Sequence, residues 1–247
     1  MMRREAAWLG ELLRALPVDQ LSPMLSVGSG TPAFRAAFQP WIETSVFRPL
    51  AERGVRVLHH ELEPNEGIDI SGDLGDDDVR RQLREAGVRS ILCLNVFEHV
   101  LDRHGLADAL LASLPPGGIL VVTVPRRFPF HADPIDTLFR PSASDLAGLF
   151  EGGEVSDVGY VRCESLAAHW LSKPGKLAAL RKARRGRQGP PPSPSGPSDP
   201  PAADARPSLA SVVRMALVST EITYAVVRRS APGSPGGDAP GRDELVG

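Results

Sequence analysis

Residues 24–34 read MLSVGSGTPAF. A short apolar run ends in Gly28-Ser29-Gly30, and Ala33 stands where a third glycine could be. The pattern predicts a short buried strand over 24–28, followed by a turn into a helix. Glycines directly behind a strand let a ligand meet backbone N–H groups at the mouth of that helix. A tight strand-to-helix turn with no ligand would use the same residues. A dinucleotide site wants G-x-G-x-x-G/A and an acid about 20 residues further on. Ala33 meets the first requirement, but Glu61 lies well past the second.

Working outward, Trp8, Leu9, Leu12, Leu13 and Leu16 recur at helical spacing, which predicts a helix over 3–16 that Pro17 ends. This N-terminal helical piece, 1–19, precedes the first strand. Residues 33–53 read as mostly helical, with Pro40 kinking or splitting the helix and Gly54 closing it. Val55, Val57 and Leu58 begin a second strand that ends near Glu61. ISGDL at 70–74 follows a third, short element, and a helix over 77–86 stops at Gly87. SILCLNV at 90–96 is a fourth strand, apolar almost throughout, and a helix runs from about 97 to 113. Pro115, Pro116, Gly117 and Gly118 turn the chain into ILVVTVP at 119–125, a fifth strand. Continuously apolar strands alternating with helices predict a mostly parallel sheet with helices on both faces. In such sheets a ligand lies at the carboxyl ends of the strands.

The last third reads differently. A strand over 154–165 leads into a helix over 166–182, interrupted at Pro174. Residues 186–206, rich in proline, serine and glycine, cannot bury a core and read as a disordered insertion. A short helix and a strand at about 219–228 follow, the strand forming an antiparallel C-terminal edge. One α/β domain thus takes 20–185 and 207–230, and 231–247 is a disordered tail. The basic run KPGKLAALRKARRGR, 173–187, reads as a solvated helix end. It could alternatively make weak contact with a membrane surface or attract a phosphorylated acceptor.

The 247 residues, 42% of them hydrophobic, suffice for one sizeable domain. Lys+Arg number 28 against 30 Asp+Glu, so no overall field draws the chain to nucleic acid. Little aromatic interleaving in 173–187 agrees with that. Cys93 and Cys163 lack metal-ligand spacing and suggest a reducing compartment. MMRREAAWLGELLRALP at the start has no signal-peptide core, and nowhere do about 18 apolar residues run together. A cytoplasmic location is the expectation.

The unusual residues cluster at the ends of the strand-like elements. Glu61 could accept from both hydroxyls of a ribose, or be an exposed charge beside Glu63. Asp73 could accept from an exocyclic adenine amine while the backbone of Leu74 reads a ring nitrogen. It could equally close an Asx-type turn. His99 in FEHV and His131 in PFHADP sit where a substrate would lie. There is no G-x-S-x-G and no Cys–His signature of a nucleophile.

The series SVGSG, HHELEP, GIDISGDL, LCLNVFEHV and PPGGILVVTVP resembles the class I S-adenosylmethionine-dependent methyltransferases over roughly residues 20–150. FPFHADPIDTLFRPS resembles a bacterial subgroup associated with surface-polysaccharide or natural-product methylation. The resemblance implies that Gly28 and Gly30 face the amino-acid end of S-adenosylmethionine, Glu61 the ribose, and Asp73 with Leu74 the adenine. Asn95 would line the cleft between methyl donor and acceptor. Pro32 stands where a glycine is common in that family. Some small-RNA methyltransferases hold magnesium with a glutamate–histidine group after the same strand. Asn95 replaces their first glutamate here, so no metal is expected.

Methyl transfer from a sulfonium is an in-line displacement in which alignment supplies much of the rate and no protein nucleophile is required. A hydroxyl acceptor would benefit from a base. His99 and His131 are the catalytic candidates, with Asp133, Asp136 and Arg140 placed to line the acceptor. The alternatives are that His99 simply bonds Glu98 or a nearby carbonyl, and that Asp136 pairs with Arg140 to hold a loop. The expectation is a Rossmann-like α/β methyltransferase using S-adenosylmethionine on an oxygen of a small or glycan-like acceptor. A non-catalytic ligand-binding protein of the same fold, or an NAD(P)- or nucleotide-sugar-binding oxidoreductase, are the alternatives.

Overall fold

The computed structural model describes residues 1–131, 135–172 and 218–231. In it, alternation along each strand decides which layer a side chain joins. Leu25 and Val27, Ile91 and Cys93, and Leu120, Val122 and Val124 enter one core. Met24, Leu92, Ile119 and Val121, the residues between or beside them, enter a second. The strands are β1 (Met24–Val27), β2 (Val57–Glu61), β3 (Ile70–Ser71), β4 (Ser90–Leu94), β5 (Ile119–Arg127), β6 (Gly153–Ser165) and β7 (Ser219–Arg229). They form one seven-stranded sheet of order β3-β2-β1-β4-β5-β7-β6. The first five are parallel.

The antiparallel C-terminal strand expected from the sequence is present, but it is not the edge. β7 pairs antiparallel with both β5 and β6, which leaves β6 outermost. The reason lies in burial. Ala225 and Val227 are fully buried in one core and Val226 lies in the other, so β7 carries an interior strand's pattern. β6 alternates exposed and half-buried residues along most of its length, as an edge does.

The helices are α1 (Arg3–Ala15), α2 (Val18–Leu21), α3 (Pro32–Phe38), α4 (Pro40–Ile42), α5 (Arg48–Glu52), α6 (Asp77–Glu85), α7 (Arg103–Ala112), α8 (Ala143–Ala147) and α9 (Leu166–Ser172). Leu83 of α6, Leu110 of α7 and Leu146 of α8 cover the first core. Leu9 and Leu13 of α1, Trp41 of α4 and Leu50 of α5 cover the second. Each such leucine contributes roughly 1.5–3 kcal/mol through the apolar area it removes from water. No helix among the described residues is long and apolar enough to cross a membrane.

Two helical stretches differ from their sequence reading. The 33–53 segment does split before Pro40, and it is distorted again, with a π-helical turn over Glu43–Phe47 leading into α5. Pro49 explains the second break: it has no N–H to give the Ser45 carbonyl, and its ring crowds that oxygen. The 97–113 helix begins late. Phe97–His99 form a 3-10 turn, and α7 starts where the Asp102 side chain accepts the Gly105 N–H at 2.9 Å.

Register brings the strand ends to one rim. Val27 stands beside His60 and Cys93, Glu61 beside Ser71, and Leu94 beside Thr123. Gly28, Glu61, Asp73 and Asn95 therefore leave the sheet on the same side. Residues 173–187, the 186–206 insertion, the short helix expected before β7, Asp133 and the tail from 232 lie outside the described residues.

Candidate cofactor and acceptor site

Gly28 and Gly30 have φ of +61° and +67°, a region that glycine occupies without steric cost. A Cβ on Gly28 would sit 3.0 Å from Val96 Cγ2, and one on Gly30 would sit 2.6 Å from Phe34 Cδ1. The turn is then clamped from both sides. Gly30 N–H donates to Glu61 Oε1 at 2.5 Å, and Ser29 N–H donates to the His60 carbonyl at 3.2 Å. Arg35 Nη1 donates to the Gly30 carbonyl at 2.6 Å. Helix α3 starts directly beyond, with Thr31 Oγ1 accepting the Phe34 N–H and Pro32 in the first turn, where its missing N–H costs nothing.

Arg35 is buried, and among the described residues it makes no ion pair with a carboxylate. Burial lowers its pKa, opposed by Glu43, Asp69 and Glu61. Its Nη2 lies 3.4 Å from His59 Nε2. Burial, and then the Arg35 charge, hold His59 down to about 4, so the ring is neutral near pH 7 and that nitrogen can accept. On the next strand end, the Asp73 carboxylate accepts the Gly75 N–H at 2.7 Å, the Asx-type turn foreseen as one of its two readings. Leu74 beside it is buried. Gly30 and Glu61 are thus in contact, Gly28 opens the same turn, and Asp73 and Leu74 follow β3, the strand beside β2.

Asn95 has φ of +55°, which asparagine tolerates better than most residues. Its side-chain amide is committed: Nδ2 donates to Glu5 Oε1 at 2.8 Å. The same oxygen accepts from the Thr123 hydroxyl at 2.7 Å, while Glu5 Oε2 accepts the Met2 N–H at 2.9 Å. Glu5 is fully buried. Helix α1 therefore lays a carboxylate across the ends of β4 and β5. Sequence reading missed this residue, although a signal existed. Glu5 lies four residues before Leu9 and eight before Leu13, on the apolar stripe of its helix, where a charge needs partners.

The other side of the rim holds the imidazoles. The rings of His99 and His131 meet edge to face with centroids 5.3 Å apart. His99 Nδ1 lies 2.5 Å from the Ile135 carbonyl, and its Nε2 lies 3.7 Å from Glu98 Oε1. Glu98 is buried, and burial, with the Glu5 charge adding to it, pushes its carboxyl up to about 8. The 3-10 turn is pinned to the loop after β5, since Thr137 gives both its N–H and its hydroxyl to the Glu98 carbonyl at 2.9 Å. Asp136 and Arg140 pair as foreseen in their structural reading, with Arg140 Nη1 and Nη2 donating to the two carboxylate oxygens at 3.1 and 2.6 Å. Burial alone would raise the Asp136 pKa. The Arg140 fork and the N–H groups of Leu138 and His131 outweigh it and hold Asp136 well below the usual carboxylate range. Leu138, between them, has φ of +57°, a strained position for a branched residue. Phe130, Ile135 and Leu138 are exposed around this mouth.

Comparison with known protein families and with curated proteins finds no match. Among solved structures, the chain is similar to an S-adenosylmethionine-dependent methyltransferase from Archaeoglobus fulgidus. That likeness has 12% identity and a TM-score of 0.45, covering 90% of this chain and 94% of that one. It is also similar to a phosphoethanolamine N-methyltransferase from Haemonchus contortus in complex with S-adenosylhomocysteine. There the identity is 11% and the TM-score 0.45, over 90% of this chain and 52% of that one. A third likeness is to the [4+2]-cyclase SpnF, with 18% identity and a TM-score of 0.42 over 91% and 80%.

Proposed function

We propose that this protein is an S-adenosylmethionine-dependent methyltransferase acting on an oxygen of a small or glycan-like acceptor. The observation that carries the reading is the 2.5 Å contact between the Gly30 N–H and the Glu61 carboxylate. It sets an acid, able to accept from ribose hydroxyls, directly against the glycine turn that follows β1. Sheet order favours this over a dinucleotide enzyme. A dinucleotide fold continues with a parallel strand beside its fifth, whereas β5 here is paired with antiparallel β7.

In this reading Glu61 releases Gly30 to take the ribose, Asp73 and Leu74 meet the adenine, and Gly28 and Gly30 lie under the amino-acid tail. When bound, S-adenosylmethionine supplies an activated methyl group, so the protein's work is alignment and exclusion of water. The imidazoles of His99 and His131 face the acceptor, and either can take the proton of its hydroxyl. The exposed Phe130, Ile135 and Leu138 offer apolar surface on which the face of a sugar or aromatic ring can rest.

Titration calorimetry of the full chain against S-adenosylhomocysteine, NAD and NADP tests the reading. S-adenosylhomocysteine should bind, and Glu61→Ala should weaken it by about 1–3 kcal/mol. Binding of NAD or NADP with none of S-adenosylhomocysteine would move the chain to the oxidoreductases.

A further inference from the structure

Three side chains able to ligate a cation meet where β4 and β5 end. Glu98, His99 and His131 each offer one ligand atom, and these atoms lie within 4.8 Å of one another. Two come from the 3-10 turn after β4, the third from the loop after β5. Glu98 is 1% exposed, and its Oε2 has no hydrogen-bond partner. A buried carboxylate oxygen left in that state is costly unless something else satisfies it.

The His99 ring is oriented in the manner of a metal ligand. A carbonyl oxygen only accepts, so His99 Nδ1, 2.5 Å from the Ile135 carbonyl, carries the ring hydrogen. His99 Nε2 then keeps its lone pair on the side of Glu98. The His131 backbone N–H donates to Asp136 Oδ2 at 3.1 Å, while its ring Nδ1, 3.1 Å from the same oxygen, is buried without a hydrogen bond. Asp136 is in turn fixed by Arg140. Backbone carbonyls and carboxylates behind histidines are the usual means of setting a ligating ring's tautomer and direction.

We propose that Glu98, His99 and His131 form a divalent-cation site of two imidazole nitrogens and one carboxylate oxygen, taken by zinc, cobalt or another first-row ion. Magnesium and calcium prefer oxygen ligands and are not favoured by this set. This departs from the expectation of no metal, which rested on Asn95. The Asn95 amide is bonded to Glu5, and the three ligands come together without it. Bonds of about 2.0–2.2 Å to one ion would place the ligand atoms about 3–4 Å apart, so the cluster must contract by roughly an ångström at its widest. Both rings can make that movement, since their side chains are 23% and 30% exposed. Three protein ligands leave coordination positions open towards the mouth. Resting on the proposed function, those positions take the acceptor's oxygen. With the ion seated, the imidazoles hold metal rather than a proton, and the hydroxyl proton passes to solvent water.

The test uses the full chain stripped with a chelator and titrated with cobalt(II), read by visible ligand-field absorption and by calorimetry. One equivalent should bind, zinc should displace it, and excess magnesium should leave the spectrum unchanged. His99→Ala, His131→Ala and Glu98→Gln should each weaken cobalt by at least about tenfold. His131 is the safest of these for folding, and circular dichroism checks each variant. Absence of a cobalt spectrum in the parent chain, displacement by magnesium, or cobalt binding as tight in both histidine variants as in the parent would overturn the site. S-adenosylhomocysteine binding is measured in parallel. Its loss with cobalt retained would sink the methyltransferase reading alone, and the converse would sink the metal site alone.

Discussion

Removing the Glu5 carboxylate would strand three donors at once: the Asn95 amide, the Thr123 hydroxyl and the Met2 N–H. Each buried donor left without a partner costs about 1–3 kcal/mol, so Glu5→Ala should lose at least about 3 kcal/mol. Urea unfolding would show this as a lower midpoint at an unchanged slope. Glu5→Gln, which keeps one acceptor oxygen, should lose less. At this scale the sequence was legible where neighbours in the chain decide the geometry. The turn at Gly28 and Gly30 follows from residue type alone. The partner of Asn95 did not, because it stands 90 residues away on an element whose docking no local rule specifies.

Helix α1 meets the π-turn over Glu43–Phe47 by way of Gly10. A Cβ at that position would overlap the Ser45 carbonyl oxygen, the same oxygen that Pro49 leaves without a helical donor. The two irregularities are therefore one device. Proline frees a carbonyl, the helix widens into a π-turn, and α1 packs against the opening through a residue with no side chain. Gly10→Ala tests this against propensity. In an isolated helix alanine is favoured by about 1 kcal/mol, yet here overpacking should destabilise the protein by about 1–3 kcal/mol. A raised thermal midpoint in the variant would refute the close approach. Element positions were otherwise readable from apolar runs and breakers, and the limits of such reading show at Phe97–His99. There the apolar pattern continues smoothly, but Asp102 caps a new helix and leaves the preceding turn free to carry Glu98 and His99.

Across the whole molecule, several groups make the fold sensitive to acid. His59, held down to about 4 chiefly by burial, favours folding above its ordinary value of 6.5, and that contribution fades as pH falls towards 4. His60 shares the direction, again through burial. Burial would raise Glu164, but His169 and the N–H groups of Arg3 and Arg4 outweigh it and hold it down to about 2, so its share is lost between about 4.5 and 2. Glu98, pushed up to about 8 by burial, works the other way, its contribution fading as pH rises from 4.5 towards 8. Against that slope, His59→Gln should reduce the loss of midpoint between pH 6.5 and 4 and leave the loss below 4.5 unchanged. A profile unchanged by that substitution would remove His59 from the account. The layered α/β architecture was legible because continuously apolar strands alternate with helical stretches along the chain. The place of β7 was not, since sequence order says nothing of where a returning strand enters a sheet. That place has a consequence for how the protein is made. A ribosome delivers β7 last, after a stretch of some ninety residues beyond β5, yet the sheet needs it in the middle. Until it emerges, β5 presents an unpaired backbone edge and β6 has no neighbour. Between the emergence of β5 and that of β7 the nascent chain thus carries its most adhesive surface uncovered, and its escape from misfolding depends on how quickly that gap is filled.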